Sequence, residues 1–184
     1  MTVLAGTPAT DAMPWRVSNR ADKHGAALAD RHYSRKTIGH PQFTPPGRCL
    51  VLLTRENDAL WCTSFPYPQY VKHAWAGAWL CTLFRNESLY RSSDLIRQAV
   101  AATRWVWGIP SALGMVTFVD PAKIQSPNPG YCFKCAGFRR VGTTRSGLVV
   151  LQLLAPDMPP AAPAQGTQLP LFRHEEREYR TAHG

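Results

Sequence analysis

An imidazole and a phenol stand side by side at His32-Tyr33, within the stretch ADRHYSRKTIGHPQF at residues 29–43. Histidine changes charge near neutral pH, so His32 can carry a proton or bind a metal. Tyr33 can act as acid, base or hydrogen-bond donor. The ordinary accounts are a buried histidine bonded to a backbone carbonyl and a tyrosine packed on the loop at 34–46. Arg31, Arg35, Lys36 and Arg48 surround the pair in sequence and could clamp phosphates, or form only a solvated basic face. Asp120 ends the stretch GMVTFVDP (114–121) just before a proline, which suits an Asx turn as well as chemistry. Tyr131 opens PGYCFKCAGF (129–138) as either a reactive oxygen or core packing. Cys132 and Cys135 share one helical face, but a structural zinc site needs four ligands and no second pair is present. Two small buried apolar residues account for them better.

The charge points to a partner. The chain of 184 residues carries a formal net charge of +9, with a sequence pI near 9.7. The segment from Ala155 onward holds three Arg against four acidic residues. Residues 1–154 are therefore at +10, from 18 basic minus 8 acidic side chains. A compact domain that basic favours a polyanion, nucleic acid above all, over charge that serves solubility alone. No apolar run reaches the length of a membrane span. The opening MTVLAGTPATDAMPW lacks the basic and apolar regions of a signal peptide. With five scattered cysteines, the expectation is a reduced, cytoplasmic chain without membrane partners.

The elements that position these residues follow from patterning. Residues 1–17 read as a flexible lead-in. Ser18 is placed to cap a helix reaching Tyr33, with Ala21, Gly25, Leu28 and His32 on one inward face. RCLVLLTREND (48–58) and ALWCTSFPYP (59–68) read as a β-hairpin turning at Asn57-Asp58. AWLCTLFRNES (78–88) reads as an apolar central strand. Ser92-Ser93-Asp94 opens a helix to Trp107, with serine as N-cap and the acid in the first turn. Residues 114–121 form a strand, 129–138 a short helix ending at Gly137, and FRRVG and GLVVLQLL two closing strands. The aromatics Phe65, Tyr67, Tyr70, Trp75 and Trp79 are dense enough to offer a wall for base stacking, although such residues more often fill a core.

That order of elements resembles the GNAT acyltransferase fold: α+β, three-layered, a mixed and mostly antiparallel central sheet flanked by helices. YCFKCAGFRRVG resembles the late GNAT short helix and strand. LFRNES through IRQAVAATRW resembles the central strand feeding the acyl-donor helix. More specifically, His32-Tyr33, Asp120 and Tyr131 match in order and spacing the Mom family of phage DNA-modification proteins, over residues 20–154. The resemblance implies an enzyme that converts adenine in double-stranded DNA to an N6-carbamoylmethyl derivative, which blocks restriction. It implies His32, Tyr33, Asp120 and Tyr131 as catalytic residues, and Fe(II) held by His32, Asp120 and Tyr131, an imidazole-and-oxygen set such an ion accepts. Arg85, Asn86, Glu87, Arg91, Ser92 and Ser93 would then bind the donor or the adenine edge. One feature departs from ordinary GNAT enzymes. Their donor pyrophosphate rests on a Gly-rich turn, whereas RNESLYRSSD (85–94) contains no glycine. Backbone approach to phosphate is disfavoured there, so acyl-CoA is a doubtful donor. An acyltransferase acting on a small amine or a protein, and a non-catalytic DNA-binding protein, are the alternative readings.

From Ala155 the composition changes. Five prolines in sixteen residues suggest a semi-extended linker rather than core. QLPLF (168–172) follows and resembles the peptide by which bacterial DNA-metabolism proteins bind the sliding clamp, with Leu169, Leu171 and Phe172 as anchors and Gln168 as a hydrogen-bonding group. The expected organisation is thus a lead-in (1–17), a catalytic domain (18–154) and a linker-and-tail segment (155–184).

Overall fold

A computed structural model describes residues 13–66, 71 and 73–167. Seven strands form one sheet: β1 (Trp15–Ser18), β2 (Arg48–Thr54), β3 (Ala59–Phe65), β4 (Trp79–Asn86), β5 (Met115–Val119), β6 (Arg139–Thr143) and β7 (Val149–Leu153). Their order is β1-β2-β3-β4-β5-β7-β6, and every neighbouring pair is antiparallel except β4 with β5. Three helices complete the α+β architecture: α1 (Lys23–Asp30), α2 (Ser92–Trp107) and α3 (Tyr131–Cys135).

Alternation along the strands sends side chains to opposite faces and makes two cores. Val51, Leu53, Leu60, Cys62 and Leu83 pack with Leu28, Ala29 and Phe43 on the α1 side. Leu50, Leu52, Trp61, Met115, Leu151 and Leu153 pack with Ile96, Ala99, Val100 and Phe133 of α2 and α3 on the other. The layers are helix, sheet, helix. Among the described residues no helix is long and apolar enough to cross a membrane.

Three boundaries differ from expectation. Residues 15–18, read as lead-in, are the edge strand β1, because Trp15 is fully buried and its indole N–H donates to the Leu95 carbonyl at 2.9 Å. Helix α1 starts later and ends earlier than patterning suggests. Its N-cap is Asp22, whose carboxylate accepts from the His24 and Gly25 N–H groups, while Ser18 donates to Asp22 instead of capping. An acid accepts two backbone donors more strongly than a hydroxyl does. The helix ends at Asp30, so His32 lies in the turn beyond it. At α2 the N-cap is Arg91 rather than a serine, with no side-chain bond to the free amides.

The Pro-rich stretch also packs, as far as Thr167. Met158 and Ala164 join the α2-side core, Arg104 donates to the Met158 and Pro159 carbonyls, and Gln165 pairs with β1. Proline favours the extended backbone this requires, and the Ala162 N–H donates to the Ala101 carbonyl of α2 at 3.2 Å. Gln168, Leu169, Leu171 and Phe172 lie outside the described residues, as do Tyr67 and Tyr70.

Candidate active site

The centre of the site is where β4 and β5 part. Their parallel pairing covers only Trp79, Leu80 and Cys81 against Met115, Val116 and Thr117. Beyond it β4 runs on to Asn86 and β5 to Val119, with no bonds between them. A bulge helps to cause the split. Cys62 opposes Leu83 and Thr63 opposes Cys81, so Thr82 is an extra residue in β4. Bulges bend a strand and re-aim its side chains. The sequence carries no marker of this one, since Thr82 sits in an apolar strand without glycine or proline.

The turn after α1 delivers His32 and Tyr33 to this split. The backbone N–H of His32 donates to Ala29, and the two rings stack with centroids 4.4 Å apart. The Tyr33 hydroxyl lies 3.5 Å from the Asp120 N–H at the end of β5. Burial raises the Tyr33 pKa, so the phenol keeps its proton at neutral pH. Burial and the Arg85 guanidinium together lower His32 to about 4, which leaves the imidazole neutral. Its Nδ1 accepts from the Ser34 N–H at 3.2 Å and lies 2.7 Å from Ser34 Oγ. A neutral ring that accepts at Nδ1 carries its proton on Nε2. Both rings therefore offer hydrogen-bond donors, not bases.

A charged network holds this turn against β4. Glu87 accepts two bonds from Arg31, both at 2.8 Å, and one from Arg85 at 2.6 Å. Arg85 also donates to the Arg31 carbonyl. Hydrogen bonds from both arginines pull the Glu87 carboxyl down to about 2. Arg31, Arg85 and Glu87 are thus occupied with one another. Asn86 is occupied too. Its amide N–H₂ donates to Tyr90 O and Ser92 Oγ, and its oxygen accepts from the Ser88 N–H and hydroxyl. Asn86 thereby fills the turn that glycines would otherwise leave open. Ser92 and Ser93 sit in the first turn of α2 beside Arg91.

The remaining expected residues divide by location. Asp120 caps the following 3₁₀ turn, accepting from the Ala122 N–H at 3.0 Å, with Lys123 at 3.9 Å. Tyr131 is exposed at the start of α3. Arg35 is not a phosphate clamp. It binds Asp30 at 2.7 Å and the carbonyls of His40 and Gln42, and so pins the loop over α1. Lys36 is exposed. Arg48 lies at the other end of the sheet, paired with Phe65 in register and stacked 4.8 Å above the Trp107 ring. Sequence proximity misleads there, because β2 carries its first residue away from α1. Trp79 is buried on Trp107 in the α2-side core and does not wall the split, while Trp75 packs half-buried on Phe118 of β5. Cys135 is exposed and Cys132 half-buried.

An iron centre does not fit these side chains as they stand. His32 Nδ1 is taken by an N–H donor, which places the ring proton on the nitrogen a metal would need. The Asp120 carboxylate serves its turn. Among the described residues no three His, Cys, Asp or Glu side chains converge as ligands. Burial keeps Cys81 and Cys132 protonated, and both thiols contribute to the raised pKa of Tyr33. Sequence patterning alone marks them only as apolar.

Comparison with protein-family models, curated proteins and solved structures returned no match.

Proposed function

We propose that the chain is a GNAT-like, Mom-type enzyme that places a carbamoylmethyl group on the N6 amine of adenine in DNA. The observation that carries this reading is the β4–β5 split, with the protonated phenol of Tyr33 turned toward the Asp120 end of β5. The +10 charge of residues 1–154 supplies the reason for a DNA substrate. Adenine N6 lies within the duplex, so the base must leave the stack to reach the split. In the site, the Tyr33 hydroxyl and His32 Nε2–H donate to oxygen atoms of the group being transferred or of its leaving group. Donors fixed where negative charge develops are worth several kcal/mol of barrier in a water-poor site, about 3 per bond. No step is assigned to iron, given the side chains found here.

In this reading the donor lies along the start of α2, where Arg91, Ser92 and Ser93 leave backbone N–H groups without a side-chain cap. The same feature favours one second reading, an acyltransferase using acyl-CoA, since such amides attract anions. Against it stands Asn86, which takes up the groups of the β4–α2 turn that would cradle a pyrophosphate. The QLPLF segment would tether the enzyme to a sliding clamp and raise its local concentration on new DNA.

Restriction digestion separates the readings. DNA from bacteria making the intact chain should resist enzymes whose sites contain adenine, and DNA from bacteria making His32→Ala should not. Full digestion of both, together with tight acetyl-CoA binding by the purified protein, would replace this reading with the acyltransferase.

A further inference from the structure

Between Pro121 and Pro156 the chain has five cations, Lys123, Lys134, Arg139, Arg140 and Arg145, and no carboxylate. Elsewhere in the domain several acids are paired with nearby bases: Asp22 with Arg16, Asp30 with Arg35, Glu87 with Arg31 and Arg85, and Asp94 with Arg97. Among the described residues Lys134, Arg139, Arg140 and Arg145 form no ion pair. Arg20, Lys23, Lys36, Arg48, Arg55, Arg91 and Arg104 also form no ion pair among the described residues, but the edge strand β6 and its neighbours lie in the longest stretch of the chain that contains no carboxylate.

Arg139, Arg140 and Arg145 are exposed. Arg139 opposes Gln152 and Arg140 opposes Leu151, so the two guanidinium groups leave opposite faces of the strand and flank its free edge. Arg145 sits in the turn between β6 and β7. That turn opens at the same end of the sheet as the site, because Thr143 and Val119 both register with Val149. The β6 edge is two strand spacings from β5, about 10 Å, less than the width of a DNA major groove. Edge strands often carry charge to prevent pairing with other chains, but either sign would serve that purpose. Cations alone over 36 residues call for a further cause.

We propose that the β6 edge, with Arg139, Arg140 and the turn residue Arg145, is the surface that holds the phosphate backbone of duplex DNA beside the site. It replaces Arg31, Arg35 and Arg48, which the structure engages elsewhere, and it rests on the reading of the chain as a DNA-modifying enzyme. One backbone would run along β6 while the extruded base enters between β4 and β5. These contacts position the duplex and carry no sequence information.

The test is binding of a fluorescent duplex to the full chain across a range of salt concentrations. Removing three phosphate contacts in R139Q/R140Q/R145Q should weaken binding at least about tenfold and reduce the log–log salt slope by about 2.5. R139E/R140E/R145E still guards the edge with charge. It should stay monomeric and folded, yet bind no duplex. K23Q/R48Q removes cations from other parts of the surface and should leave the slope nearly intact. The single variant Arg145→Gln, in a turn, covers the case of a triple variant that misfolds, with an expected slope change of about 0.9. Unchanged binding by the Gln variants would overturn the proposal. So would an equal loss per charge in K23Q/R48Q, or binding of phosphatidylglycerol vesicles in place of duplex. Salt-sensitive binding lost with β6, in a chain that leaves cellular adenine unmodified, would keep this surface and discard the enzyme.

Discussion

At the scale of single residues, protonation decides what His32 and Tyr33 can do. His32 is neutral in the folded chain because burial and Arg85 disfavour its cation. Its folded pKa, about 4, lies below the ordinary value near 6.5, so between those limits the unfolded chain binds more protons. Stability should be full above pH 6.5 and fall as pH drops toward 4. Urea unfolding of His32→Gln should show a flatter pH dependence over that window, and an identical profile would refute a buried neutral imidazole. Glu87 acts lower on the scale. Its folded pKa of about 2 is depressed, so its contribution is present above about 4.5 and lost as pH falls toward 2. Both Glu87 and its partners are partly exposed, so the effect is small and screened by salt. Glu87→Gln should remove this acid sensitivity and loosen the turn carrying His32, which would lower activity more than stability.

At the scale of elements, glycine and capping decide the geometry. Gly130 has φ +72°, and a Cβ there would lie 2.3 Å from Leu151 Cδ1. Gly130→Ala should destabilise the chain by about 1–3 kcal/mol, read from its denaturation midpoint, and displace α3 with Tyr131. Strand patterning makes most of the sheet readable, since β2, β3, β4, β5 and β7 are apolar runs bounded by turn residues. β1 escapes notice because four residues at an edge give too short a period. The end of α1 is misjudged by three residues, as helical spacing continues through His32 after the backbone has turned. Residue types are legible in the sequence: His32 and Tyr33 stack beside the strand split, and the Tyr33 hydroxyl reaches the Asp120 N–H while the Asp120 carboxylate turns to Ala122. Their commitments are not legible. Nothing in the order Arg85-Asn86-Glu87 reveals that all three side chains are consumed in holding the site together.

At the scale of the whole molecule, the segment after β7 belongs with the domain through Thr167. Met158 is buried against α2, and Gln165 Nε2 donates to the Met13 carbonyl while its backbone meets β1. Met158→Ala should cost about 2–4 kcal/mol, measured as a shifted unfolding midpoint, whereas a free linker would register no change. Charge is also a property of the whole chain. The stretch from Pro121 to Pro156 carries five cations and no carboxylate, which gives the β6 flank next to the site a basic face.

The central claim is that Tyr33, between the ends of β4 and β5, serves a reaction on adenine. Tyr33→Phe removes one hydroxyl and little packing, so the fold should persist with a loss near 1 kcal/mol. Mass spectrometry of nucleosides from DNA of bacteria making the intact chain or Tyr33→Phe measures the reaction directly. The account predicts a heavier deoxyadenosine with the intact chain and at least about a hundredfold less with Tyr33→Phe. Unmodified deoxyadenosine beside abundant folded protein, or equal modification by the two chains, would contradict it.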